Sequence, residues 1–154
     1  MKKTITITAP EGKVINFNEA NGTVIFEDEP KSVIERILNF EDVLKEHKIE
    51  PTDFLKSIES LSSDEVAYRK LKLIVSAFNE GWTPDWTNGK WDKYVAYFTM
   101  GGSSGVDFSY CACADWYSVS FVGSRLVFKS SDLAKHVANL FIEDFRDFLT
   151  TNIE

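Results

Sequence analysis

Three tryptophans, Trp82, Trp86 and Trp91, fall within ten residues of one another, with Asp85, Asn88 and Asp92 interleaved. Flat rings separated by polar groups are what a sugar- or base-stacking site requires. Stacking needs ring area, and the polar groups set the orientation of whatever stacks. A structural reading competes with this one. Trp82 and Trp86 stand four apart around Pro84, so both can point inward and clamp a helix end onto a sheet while Asp85 shapes the turn. Trp116 is a fourth ring that a stacking site would recruit. The candidate ligand- or partner-binding residues are therefore Trp82, Asp85, Trp86, Asn88, Trp91 and Trp116.

Other chemistry is thinly represented. The run from Asp85 through Asn88 and Gly89 to Asp92 is rich in oxygen, but it lacks the alternating ligands and terminal glutamate of a calcium loop. A turn built on Asn-Gly and Asp is the better account. Cys111 and Cys113 could act as thiolate ligands or a nucleophile, yet only His47 and His136 remain to complete a metal set or a Cys-His pair. Small side chains packed on a strand face explain them more simply. Gly101-Gly102-Ser103-Ser104-Gly105 lies between two expected strands and lacks the Gly-Lys-Ser/Thr ending of a phosphate loop. No catalytic residue, metal ligand or cofactor is assigned.

Elements to position these residues follow from periodicity. Thr4 to Thr8 alternates and is β-branched, which predicts a half-buried strand. Val14 to Phe17 predicts a second strand, and Asn21-Gly22 a turn into a third over Thr23 to Glu27. Four helices are expected next. Ser32 with Glu35 suggests a capping box before Val33, Asn39 caps a piece reaching Lys48, and Pro51 opens a third. Ser62 with Glu65 starts the longest, Ser63 to Glu80, with Ala67, Leu71, Ile74 and Phe78 on one stripe and Gly81 at its end.

After the tryptophan loop, alternation over residues 94–100, 106–113, 117–121 and 125–129 predicts an antiparallel meander with one covered face. Ser130 or Ser131 then caps a last helix carrying Phe141, Ile142, Phe145, Phe148 and Leu149. That stripe is wide enough for part of it to serve self-association into a homo-oligomer. The last helix and the Ser63–Glu80 helix are the expected covers of the sheet. The expectation is one α+β domain over 1–154: a β-hairpin section over 1–30, a helical section over 31–80, and a meander with a C-terminal helix over 81–154.

Composition narrows the partners. The 154 residues include 24 acidic and 17 basic side chains, a formal charge of −7. That balance disfavours nucleic-acid backbones and anionic membrane surfaces as partners. Met1-Lys2-Lys3 is followed by Thr4 to Thr8 and then Pro10, so no apolar signal core follows. No run approaches the length of a membrane span. Two cysteines at strand spacing point to a reducing, cytoplasmic compartment.

Two segments carry a resemblance. Phe78-Asn79-Glu80-Gly81-Trp82-Thr83-Pro84-Asp85-Trp86-Thr87-Asn88 resembles the LNxGWxPDWxN signature of an uncharacterised family carried by phages, prophages and mobile elements of gut bacteria. Gly123 to Ala134, reading GSRLVFKSSDLA, is similar to that family's second signature, a strand running into the final helix. The opening Ile-Thr-Ala-Pro-Glu-Gly-Lys stretch and Asn39-Phe40-Glu41-Asp42-Val43 match more weakly. The resemblance implies a phage or mobile-element origin and a bacterial host cell; it implies no activity.

Three functional classes follow. The first is a non-enzymatic accessory or virion-associated protein whose aromatic surface meets a protein partner. The alternative is a small-molecule binder in which the tryptophan loop stacks a nucleotide or a sugar. The third is an enzyme using Cys111 or Cys113 with His136.

Overall fold

Local capping chemistry fixes most helix starts in the computed structural model, which describes residues 5–99, 109–116 and 124–150, with backbone alone for 109–116 and Ser124. The described chain is α+β, with helices, an N-terminal hairpin and a second antiparallel strand pair. It falls into two compact units, Met1–Ser32 and Val33–Glu154.

The first unit is built on β1 (Lys13–Asn18) and β2 (Thr23–Asp28), an antiparallel pair. Gly22 has φ +71° and donates its N–H to Asn18 C=O at 2.8 Å, while Asn21 Oδ1 accepts the Thr23 N–H at 3.1 Å. The loop therefore spans four residues, Glu19 to Gly22. Cross-strand pairs Ile15–Phe26 and Phe17–Val24 share one face, and Phe17 is 56% exposed on it. The strand predicted over Thr4 to Thr8 is not formed at residues 5–8, and Ile5 is 83% exposed. β-branched alternation favours extended backbone, but a strand also needs an edge to pair with.

In the second unit α1 (Val33–Arg36) is a single turn, shorter than predicted. α2 (Phe40–Glu46) starts as predicted, with Asn39 Oδ1 accepting the Asp42 N–H at 3.0 Å. Pro51 opens α3 (Pro51–Ile58). α4 (Ser63–Asn79) begins at a capping box in which Glu65 accepts the Ser62 N–H at 2.9 Å. Its stripe of Ala67, Leu71, Ile74 and Phe78 is buried as the spacing requires. α4 ends in two left-handed residues, Glu80 at φ 49° and Gly81 at φ 82°. A side chain at the first costs about 1–2 kcal/mol. Glu80 offsets part of that by accepting from Lys129 Nζ at 2.8 Å and Arg36 at 3.0 Å.

The second sheet pairs β3 (Lys93–Thr99) with β4 (Ser109–Trp116). The register shifts between Tyr97, opposite Ala112, and Phe98, opposite Tyr110, so Cys111 is the extra residue of a bulge. The turn expected at Gly101–Gly105 and the strand residues expected at Val106 to Phe108 and Tyr117 to Phe121 lie outside the described residues. The strand predicted over Arg125–Lys129 is replaced by a 3-10 turn, Ser124–Leu126, and one bridge between Tyr94 and Phe128. Asn79 explains the difference. Its Nδ2 donates to Val127 C=O at 2.8 Å, and its Oδ1 accepts the Lys129 N–H at 3.0 Å. Those backbone groups would otherwise have to be met by a neighbouring strand.

The predicted last helix is two helices, α5 (Ser131–Leu140) and α6 (Ile142–Leu149), broken at Phe141 with ψ 35°. Ser130 caps α5 by accepting the Leu133 N–H at 3.3 Å. α5 covers β3 and β4, and α6 packs on α4, so α4 lies chiefly on helices rather than directly over the sheet. The core of this unit joins Leu71, Ile74, Phe78, Phe128, Val137, Phe141 and Phe145. Two rings of the C-terminal stripe, Phe141 and Phe145, are each 5% exposed, and half-buried Phe148 stacks on Tyr68 at 5.1 Å. No described helix is long and apolar enough to cross a membrane.

Candidate functional site

α4 carries two stripes. The apolar one faces the core. The other, Arg69, Leu73, Ser76 and Asn79, recurs at three- and four-residue intervals and forms one side of a cleft of about 960 Å³. His47, Phe54 and Ser57 close one flank, contributed by the end of α2 and by α3. Trp82, Pro84 and Trp86 close another, joined by Arg125 and Val127. The volume lies in the range of small-molecule sites.

Each wall is tied down. His47 Nε2 lies 2.8 Å from Leu73 C=O, which requires the proton on Nε2 and aligns the end of α2 with α4. Arg69 donates to Ser57 C=O at 2.7 Å, linking α4 to α3. Phe54 is buried and packs its ring 5.0 Å from Phe40. Buried Asn79 holds Val127, as above, which brings Arg125 to the cleft.

The tryptophan loop divides its residues between cleft-facing and supporting positions. Trp82 and Trp86 are half-buried and line the cleft. Trp91 stands edge-on to Trp82, centroids 5.5 Å apart at 80°, and is itself 40% exposed. Lys93 is the anchor. It is wholly buried, donates to Trp91 C=O at 2.7 Å and Asn88 C=O at 3.3 Å, and its ammonium lies 5.3 Å from the Trp86 ring centroid. A cation over a ring face is attracted by the ring's quadrupole, and more strongly where water is excluded.

Asp85, Asn88 and Asp92, the polar residues singled out between the tryptophans, do not line the cleft. Asp85 accepts from Thr87 N–H at 2.9 Å and from Thr87 Oγ1 at 2.7 Å, and those bonds hold its carboxyl below the usual carboxylate range. Asn88 Oδ1 accepts the Lys90 N–H at 3.0 Å. Both side chains build turns. Trp116 pairs through its backbone with Lys93, and its side chain lies outside the described residues.

Cys111 and Cys113 are placed on β4 by backbone alone. His136 lies on α5, its ring 5.7 Å from Phe78, with a buried Nε2 that has no hydrogen-bond partner among the described residues. Among those residues no cluster of His, Cys, Asp or Glu could hold a metal ion.

Sequence reasoning missed Arg69, Lys72, Ser76, Asn79 and Arg125, all lining residues. The stripe on α4 was readable, but polar residues at helical spacing look the same on a solvated face. Arg125 reaches the cleft through Asn79, a contact across 48 residues that no local pattern announces.

Comparison with known protein families, characterised proteins and solved structures finds no match to this chain.

Proposed function

We propose that the second unit is a small-molecule binding module that takes a planar-faced ligand, a nucleotide or a sugar, in the cleft beside α4. One observation carries this reading: Trp82 and Trp86 both line a single cleft of ligand size, on a loop held from behind by buried Lys93. Rings fixed in place before binding lose little freedom when a ligand stacks on them. The bacterial host cell is the proposed setting, on the motif resemblance.

A protein-binding role is the second reading. It is favoured by the hairpin, where Ile15, Phe17 and Phe26 are exposed on one face. Large apolar residues grouped in the open often mark interaction surfaces.

Titration of the intact chain separates the two, using intrinsic tryptophan fluorescence and a panel of nucleosides, nucleotides and neutral oligosaccharides. The cleft reading predicts saturable quenching by at least one member. It also predicts a loss of about 5–150-fold in affinity for Trp86→Leu, since one stacked ring is worth about 1–3 kcal/mol. Absence of saturable binding across the panel would remove the cleft reading.

A further inference from the structure

The charge lining the cleft opposes the charge of the molecule. The chain carries a net charge of −7, yet Arg69, Lys72 and Arg125 line the cleft against a single carboxylate, Asp53. Asp53 is itself within 3.5 Å of Lys56 Nζ. Arg69 spends one N–H on Ser57 C=O, and Lys72 Nζ sits 4.9 Å over the Tyr68 ring, a contact that uses no oxygen acceptor. Among the described residues no carboxylate pairs with Arg69, Lys72 or Arg125. Elsewhere in the second unit Arg36, Lys45, Lys56, Lys70, Lys129 and Arg146 have acidic partners, while among the described residues Lys48, Lys90 and Lys135 form no such pair.

The cations are also spread along the cleft. From Arg69 to Asn79 α4 rises about 15 Å, at 1.5 Å per residue. Arg69 and Lys72 belong to the α3 side of that length, whereas Arg125 belongs to the tryptophan side, brought there by the Asn79–Val127 bond. A ligand lying along α4 thus meets ring faces and a guanidinium at one end and further cations toward the other. Concave walls concentrate the field of such charges and raise the local concentration of anions. Guanidinium groups match phosphate oxygens in geometry as well as in charge.

We infer that the cleft selects anionic ring ligands, and that its ligand class is the nucleoside phosphate rather than the neutral sugar or the bare nucleoside. The inference rests on the cleft reading above. It adds the requirement for phosphate, with Trp82 and Trp86 on the base, Arg125 beside them, and Lys72 and Arg69 toward the phosphate oxygens.

The test is calorimetric titration of the full chain with adenosine 5′-monophosphate, adenosine, inorganic phosphate and chitobiose, repeated in Lys72→Gln/Arg125→Gln. Both replaced side chains reach solvent, and circular dichroism verifies the fold of the variant; Lys72→Gln alone serves if the double variant does not fold. The nucleotide is expected to bind at least about tenfold more tightly than adenosine, as a charged hydrogen bond supplies. Added salt should shrink that gap, and the variant should lose it while keeping its affinity for adenosine. Equal affinity for adenosine and its monophosphate, or preference for chitobiose, would overturn the phosphate requirement and leave the cleft reading standing. A gap that persists in the variant would overturn the assigned cations. Failure of all four ligands to bind would count against both.

Discussion

Replacing Asn79 by alanine should unfasten one wall of the cleft at a measurable cost. Asn79 is 4% exposed, donates to Val127 C=O at 2.8 Å and accepts the Lys129 N–H at 3.0 Å. Alanine strands both backbone groups where water reaches them poorly. A stranded polar group costs about 1–3 kcal/mol, against about 0.5–1.5 kcal/mol for the net worth of a hydrogen bond. Two such groups, one of them only partly buried, give about 2–4 kcal/mol in all. For a chain of this length that lowers the melting temperature by about 5–15 °C. Asn79→Asp is the sharper control. It keeps the acceptor for Lys129 but aims a carboxylate oxygen at a carbonyl, so it should be at least as damaging. Melts followed by circular dichroism give the magnitude, and hydrogen exchange gives the location: the Lys129 amide should lose protection before the amides of α4 do. A melting temperature within about 2 °C of the parent, with Lys129 protection intact, would refute the assignment of Asn79 as the clasp.

Three further outcomes follow from the same geometry. Hydrogen bonds from Lys129 and then Arg36 depress the Glu80 carboxyl below its ordinary value of 4.5. Its contribution to stability is therefore present above that value and lost as pH falls through the lower folded-state value. Urea unfolding of Glu80→Gln should show a shallower loss of stability on acidification below pH 4.5 than the parent does. Ile74→Ala, at a wholly buried position, should cost about 2–5 kcal/mol in urea unfolding. Asn39→Ala removes the cap on the Asp42 N–H and should cost about 1 kcal/mol by the same assay.

Much of the helical architecture was legible because its signals are local. Asn39, Pro51, Ser62 with Glu65, and Ser130 each stand at a helix start in the structure. The buried face of α4 was readable because burial imposes a period of three to four residues, and Ala67, Leu71, Ile74 and Phe78 keep it. The break at Phe141 was not legible. No proline or glycine marks it, and the apolar spacing from Leu133 through Val137 and Phe141 to Phe145 runs on unbroken. The segment 125–129 alternates like a strand, yet a side-chain amide from α4 occupies one of its edges, and such a partner has no local signature.

The candidate site was half legible. Clustered tryptophans point to the loop that borders the cleft, and two of them line it. Their polar neighbours Asp85 and Asn88 had the composition of a binding site but are consumed in turns. Local hydrogen bonding two residues along the chain is what short Asp and Asn side chains do most readily. The cations were invisible as a group because α4, with Arg69 and Lys72, and the 3-10 turn that carries Arg125 meet only in the folded chain.

Nuclear magnetic resonance on the isotopically labelled full chain, titrated with adenosine 5′-monophosphate, bears most directly on the cleft. The indole N–H signals of Trp82 and Trp86 and the Ser76 amide should move together and saturate with one dissociation constant, while amides of β1 and β2 stay in place. Saturable shifts confined to the hairpin, or a cleft whose signals never move, would contradict the account.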